Sequence, residues 1–120
     1  MAVTLSGCSD ALQSTEQHRL DAPRTVNGDP AKGRDLVAAV GCGVCHTIPG
    51  IPGATGIVGP PLTTFARRTY IAGIVPNEPT ALSAWVSNAP SLLPQTAMPR
   101  LPISHDDATH IVAFLYTLQK

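Results

Sequence analysis

Cys42-Gly43-Val44-Cys45-His46 sets two thiols three residues apart, with an imidazole directly after the second. That is what attachment of a c-type haem requires. The thiols add to the two vinyl groups as thioethers, and the adjacent His46 reaches the iron from the same face. Two intervening residues hold the sulfurs about one porphyrin edge apart while the next residue turns in beneath the iron. A bare C-x-x-C also serves thioredoxin-like redox pairs and zinc knuckles. Here no alternating strand–helix pattern surrounds the motif, and no second Cys pair completes a zinc site.

An iron held by His46 has its sixth position open, and the far side of the chain offers few donors. The two methionines are Met1 and Met98. Met98 lies in Pro94-Gln95-Thr96-Ala97-Met98-Pro99, too rich in proline for helix or strand and suited to a loop laid against the open haem face. Methionine more commonly fills core gaps, but Met98 sits between Ala97 and Pro99 rather than on an apolar helical stripe. His105 and His110 are the rival donors, read as surface residues in or near the last helix.

Steps outward from these residues give the elements that must hold them. Asp29 is placed to cap a helix that has Pro30 at its first position and runs from Ala31 to Val40, with Gly33, Leu36, Val37 and Val40 on one face and Gly41 at its end. A glycine on a packing face costs helix stability, so Gly33 there asks for a close neighbour. Thr47 to Val58 reads as an apolar Gly/Pro loop, either wrapping one haem edge or forming a docking patch. Pro76-Asn77-Glu78-Pro79-Thr80 turns into a helix from Ala81 to Asn88, capped near Thr80, with Leu82, Trp85 and Val86 on one face. Ser104 caps a last helix with Asp106 and Asp107 in its first turn. Its buried stripe is Ala108, Ile111, Val112, Leu115 and Leu118, with Phe114 beside it.

In this order the motifs resemble a class I monohaem cytochrome c, from about Asp29 to Leu118: Gly33 and Val37, the Cys42–His46 site, Gly59-Pro60 with Leu62, Thr96-Ala97-Met98-Pro99, and Ile111-Val112-Ala113-Phe114-Leu115. The segment from Gly59 to Met98, with Arg67-Arg68, Pro76-Asn77, Leu82 and Trp85, also resembles the cytochrome domain fused to subunit II of some bacterial haem–copper oxidases. The resemblance implies an all-α fold, three to five short helices wrapped around one covalent haem with long Pro/Gly-rich loops. It implies iron ligated by His46 and Met98, and a Pro60 carbonyl that accepts the His46 N–H and so fixes the imidazole. Pro61 departs from the common pattern and stiffens this loop. By position after Leu62, Arg68 is matched to a haem propionate, the alternative being two solvated arginines at 67 and 68. Trp85 is matched to the methionine side of the haem, the alternative being ordinary core. Thr96, with Gln95 a polar neighbour of Met98, completes the cofactor-binding set, and Gly33 is expected to meet Phe114.

Composition sets limits. A chain of 120 residues is one domain's length, and with aromatics at 4% its own core is thin. A covalent haem would complete that core, so the apo-chain is expected to fold poorly. Twelve prolines and ten glycines predict short helices and long loops. Eight basic and eight acidic side chains cancel, which removes nucleic acid as a partner. The third cysteine, Cys8, follows Leu5-Ser6-Gly7 in a pattern resembling a bacterial lipobox, although Met1 to Thr4 carries no charged or extended apolar region. The expected organisation is a remnant of a lipoprotein signal over 1–7, a polar tether over 8–28 and a cytochrome domain over 29–120. No run of about 18 apolar residues occurs.

The function expected is single-electron transfer in a bacterial respiratory chain, not enzymatic catalysis. A fully ligated iron leaves substrate no open position, and no Ser–His–Asp set, carboxylate pair or phosphate loop occurs elsewhere. The expected acceptor is a terminal haem–copper oxidase, and the donor a quinol-oxidising cytochrome complex or a dehydrogenase. The expected site is the periplasmic side of the cell envelope, with a lipid on Cys8 as anchor. Two alternatives stand beside this: an electron-transfer subunit of a periplasmic dehydrogenase, and a sensor or catalytic haem whose Met98 dissociates.

Overall fold

The computed structural model describes residues 24 and 26–120; the signal remnant expected over 1–7, Cys8 and most of the tether lie outside them. Among the described residues the regular elements are helices α1 (Pro30–Val40), α2 (Pro79–Leu92) and α3 (His105–Leu115), two 3₁₀ turns (Cys42–Val44 and Phe65–Arg67), and a two-stranded hairpin, β1 (Tyr70–Ile71) with β2 (Val75–Pro76). The architecture is the mostly helical one expected.

Helix α1 begins as its sequence dictates. The Asp29 side chain accepts the N–H groups of Ala31 and Lys32, Pro30 needs no partner for its nitrogen, and Gly41 ends the helix at φ 89°. Helix α3 starts on Ser104, whose Oγ accepts the Asp107 N–H at 3.0 Å. The two helices cross closely. A methyl group at Gly33 would lie 2.6 Å from the His110 carbonyl carbon and 2.8 Å from the Phe114 Cβ, so only glycine permits this approach. The expected stripe of α3 is buried in full, together with Val37 of α1 and Leu82, Trp85, Val86 and Ala89 of α2. Val37, Leu82 and Val112 are the largest fully enclosed side chains, each contributing roughly 1.5–3 kcal/mol by burial.

Helix α2 departs from expectation at both ends. It starts at Pro79 with Glu78 as cap and no side-chain capping bond, so Thr80 is not the cap. It also continues past Asn88 to Leu92 across a kink, Asn88 lying at φ −154° and ψ 72°. The cause is Pro90, which has no N–H to give residue 86 and whose ring crowds that carbonyl. Backbone groups exposed by the kink are taken up by the chain after Met98. The Ser87 carbonyl accepts the Leu101 N–H at 3.1 Å, and Asn88 pairs with Arg100 in an antiparallel bridge.

The hairpin was not foreseen. It closes on Ala72 and Gly73 at φ 52° and 76°, both left-handed, with the Ile74 N–H on the Ile71 carbonyl. Below it a buried cluster ties loop to helix. The Tyr116 hydroxyl donates to Asn77 Oδ1 at 3.1 Å, and Asn77 Nδ2 donates to the carbonyls of Arg68 (2.9 Å) and Phe65 (3.4 Å). Arg24 lies over the Tyr116 ring, 4.8 Å from its centre, and donates to the Ala66 carbonyl. Thus Arg24, which the sequence placed in the tether, sits on the fold, and Val26 packs against the core as well. His110 is likewise no free surface residue: its side chain is 15% exposed, and its Nδ1 accepts the Asp29 N–H at 2.9 Å. His105 is exposed.

Candidate haem site

Gly41 in its left-handed conformation turns the chain from α1 into a 3₁₀ turn over Cys42–Val44. The Cys42 carbonyl accepts the N–H groups of Cys45 (3.2 Å) and His46 (3.0 Å). With three residues per turn, Cys42 and Cys45 come to lie on one side. Both are free thiols and half-buried. Burial pushes the Cys42 thiol up, a bond to its own backbone opposes this, and the neighbouring Cys45 adds to the rise. A thiol held protonated resists oxidation to a disulfide.

His46 is fixed on two sides. Its Nδ1 is 2.7 Å from the Pro60 carbonyl oxygen. A carbonyl only accepts, so Nδ1 carries the proton and Nε2 keeps the lone pair a metal requires. Gly59 backs onto the ring, since a methyl group there would lie 2.7 Å from Nδ1 and 2.9 Å from Nε2. The Gly59 N–H is bonded in turn to the Cys45 carbonyl at 2.7 Å. Gly59-Pro60 is therefore clamped to the attachment motif through backbone and ring together.

Two cavities adjoin at His46 and Met98, which line both. One, of about 270 Å³, is walled by Cys42, Cys45, Val40, Val58, Pro99 and Leu101 among others. The other, of about 180 Å³, is walled by Phe65, Leu82, Trp85, Leu115, Arg68 and Thr96 among others. The structure thus brings together Cys42, Cys45, His46, Pro60, Arg68, Trp85, Thr96 and Met98, residues spread over nearly half of the sequence. Thr96 holds the Met98 turn, its Oγ1 accepting the Met98 N–H at 3.2 Å. Arg68 donates to the Pro61 carbonyl at 2.6 Å and lies over the Phe65 ring, while Arg67 is exposed.

These surroundings fit a haem. The slot is mainly apolar, thiols stand at one wall, and an imidazole of fixed tautomer and a thioether border both halves. Among the described residues no three His, Cys, Asp or Glu are placed to hold a metal ion between them, so the donors suit a porphyrin-bound iron rather than a bare cation. No short motif points to the Arg24–Tyr116–Asn77 cluster behind Arg68. Tyr116 and Asn77 are 39 positions apart, and neither belongs to a short pattern.

Three comparisons bear on the whole chain. A chain in the crystal structure of SoxXA from P. pantotrophus superposes with a TM-score of 0.59, covering 83% of this chain and 85% of that one at 24% identity, a likeness of fold. Cytochrome c oxidase subunit 2 of Alkalihalophilus pseudofirmus is 33% identical over 90 residues, 73% of this chain. This chain spans about a quarter of that relative's length, 25%. The family model for cytochrome c matches residues 30–119, the stretch that holds every wall of the slot. By that match, the slot's geometry and the attachment motif, the chain belongs to the cytochrome c family, whose members carry covalently bound haem c with iron.

Proposed function

We propose that this protein is a single-electron carrier holding one haem c through thioethers from Cys42 and Cys45, with His46 and Met98 as axial ligands. The observation that carries the reading is that His46 and Met98 line both halves of one divided slot. Bound haem would supply the one-electron couple, and the chain's residues set the conditions for it. Pro60 takes the Nδ1 proton of His46 in a hydrogen bond, making the imidazole a stronger donor and preventing its rotation. Thr96 and the ties at Ser87 and Asn88 hold Met98 in place. Arg68 supplies a fixed positive charge at the edge of the slot for a propionate, and Trp85 and Leu82 exclude water. With both axial positions filled from the chain, the reading is of a carrier and not an enzyme.

The likeness to an oxidase subunit 2 supports a terminal haem–copper oxidase as acceptor, over service as a dehydrogenase subunit. We place the protein on the periplasmic side of a bacterial cell envelope, with a lipid on Cys8 as anchor. Among the described residues no helix is long and apolar enough to cross a membrane.

Mass spectrometry of the mature protein should show one haem added at Cys42 and Cys45, with the pyridine haemochrome of two thioethers. Met98→Ala should abolish the weak far-red sulfur-to-iron band of the ferric protein, admit carbon monoxide to the ferrous form and lower the potential. A colourless protein, or a far-red band that survives Met98→Ala, overturns the assignment.

A further inference from the structure

Resting on the electron-carrier reading, we propose that the redox partner docks on an uncharged apolar face around Cys42 and Cys45, and meets it with an uncharged apolar face of its own. Val44, Ile57 and Val58 are 77%, 90% and 73% exposed, more than any other large apolar side chain among the described residues. They form one patch. The Gly56 N–H is bonded to the Gly43 carbonyl and the Gly59 N–H to the Cys45 carbonyl, so residues 56–59 run along the attachment motif. Val44 and Val58 share a cavity wall with Cys42, Cys45, Ala97 and Pro99, and that wall contains no Lys, Arg, Asp or Glu.

The absence of charge extends well beyond the patch. Residues 36–66 and 79–99 contain no Lys, Arg, Asp or Glu. Among the described residues the acids are Asp29, Asp35, Glu78, Asp106 and Asp107, all outside these two stretches. The charged side chain closest in sequence to this rim is Arg100, and Arg34 is engaged with the Gly50 carbonyl. A face of this kind offers a charged partner no complement, and burying it against a charged surface would desolvate that surface without compensation. Large apolar groups this exposed beside the thiols mark a contact surface. An apolar partner face gains by burial what charge does not provide. Association then lacks electrostatic steering, so its rate is independent of ionic strength.

The test uses the purified holo-protein at two gold electrodes, one coated with a methyl-terminated and one with a carboxylate-terminated alkanethiol layer. The expected result is a redox wave at the methyl surface, unchanged from about 0.01 to about 0.5 M salt. Ile57→Lys, at the most exposed residue of the patch and outside the walls of the slot, should weaken that coupling by roughly tenfold or more and create coupling at the carboxylate surface, with an unchanged absorption spectrum. Arg100→Gln should leave the methyl response as it is. A wild-type wave confined to the carboxylate surface, or lost on adding salt, overturns the proposal. Sedimentation with phosphatidylcholine vesicles that Ile57→Lys loses overturns it in favour of a lipid contact, and a dimer that Ile57→Lys loses overturns it in favour of a second copy. No wave at either surface, from a protein without a haemochrome, would instead remove the electron-carrier reading beneath it.

Discussion

Replacing Gly59 by alanine tests the clamp on His46 directly. The added methyl would lie 2.7 Å from Nδ1 and 2.9 Å from Nε2, and closer still to the ring carbon between them. Ordinary separation is about 3.5 Å, so the ring must retreat by roughly 1 Å. The His46–Pro60 bond is 2.7 Å long, and a retreat of that size takes it beyond useful length. Loss of the bond costs about 1 kcal/mol, and overpacking a further 1–3 kcal/mol or so. A total of roughly 2–4 kcal/mol corresponds to a fall in Tm on the order of 10 °C. The imidazole, no longer donating to Pro60, becomes a weaker ligand, so the potential should rise. Thermal unfolding followed by haem absorption, with potentiometry on the same samples, measures both. Gly53→Ala is the control: it sits at φ 77° with open space around it, so its cost is the left-handed backbone alone, about 1–2 kcal/mol, with no change in potential. A Gly59→Ala protein with the wild-type Tm and potential would show that the ring does not rest on Gly59.

Three further outcomes follow from the packing. Gly33→Ala should separate α1 from α3 and destabilise by roughly 1–3 kcal/mol in urea titrations, despite the better helix propensity of alanine. Tyr116→Phe should cost about 1 kcal/mol near neutral pH by removing the bond to Asn77. Burial above all pushes the Tyr116 phenol up to about 12, with Arg24 opposing and Glu78 adding to the rise. A raised phenol favours the protonated folded form, so this stability is present below the unfolded value of about 10 and lost as pH climbs towards 12. The urea midpoint of the wild type should therefore fall across that window more than that of Tyr116→Phe. Arg68→Ala should lower the reduction potential more than Arg67→Ala, because Arg68 lines the slot and Arg67 does not; equal shifts in potentiometry would remove Arg68 from the site.

The parts of this protein that were legible in its sequence are those written in neighbouring residues. Asp29-Pro30, Gly41 and Ser104 set helix ends through groups one to four positions away, and the attachment motif is itself a single turn. The crossing at Gly33 was legible because a glycine on a buried helical face needs a near neighbour. Helix α2 outruns the expected end at Asn88 because the chain only bends there, ahead of Pro90, and resumes. The tether was drawn too far, since Arg24 is polar in composition yet stacks on Tyr116. Nor did sequence reveal the side-chain bonds of Asn77, whose partners come from the turn at Phe65 to Arg68 and from Tyr116.

The kink in α2 also has a consequence for how the chain tolerates changes in length. Residues between Asn88 and Arg100 are pinned at both ends, by the antiparallel bridge and by the Ser87–Leu101 bond. Met98 is carried inside that closed loop at a set distance from each end. One residue inserted or deleted there would swing the thioether away from the slot or break the bridge. The turns at Gly50 and Gly53 lie in a loop that is also closed by a bridge, Thr47 with Thr55, but they carry no ligand and have open space beside them, so an added residue there only enlarges a surface bend. Drift in length is thus permitted on the cysteine side of the slot and forbidden on the methionine side, although both are proline-rich loops of similar composition.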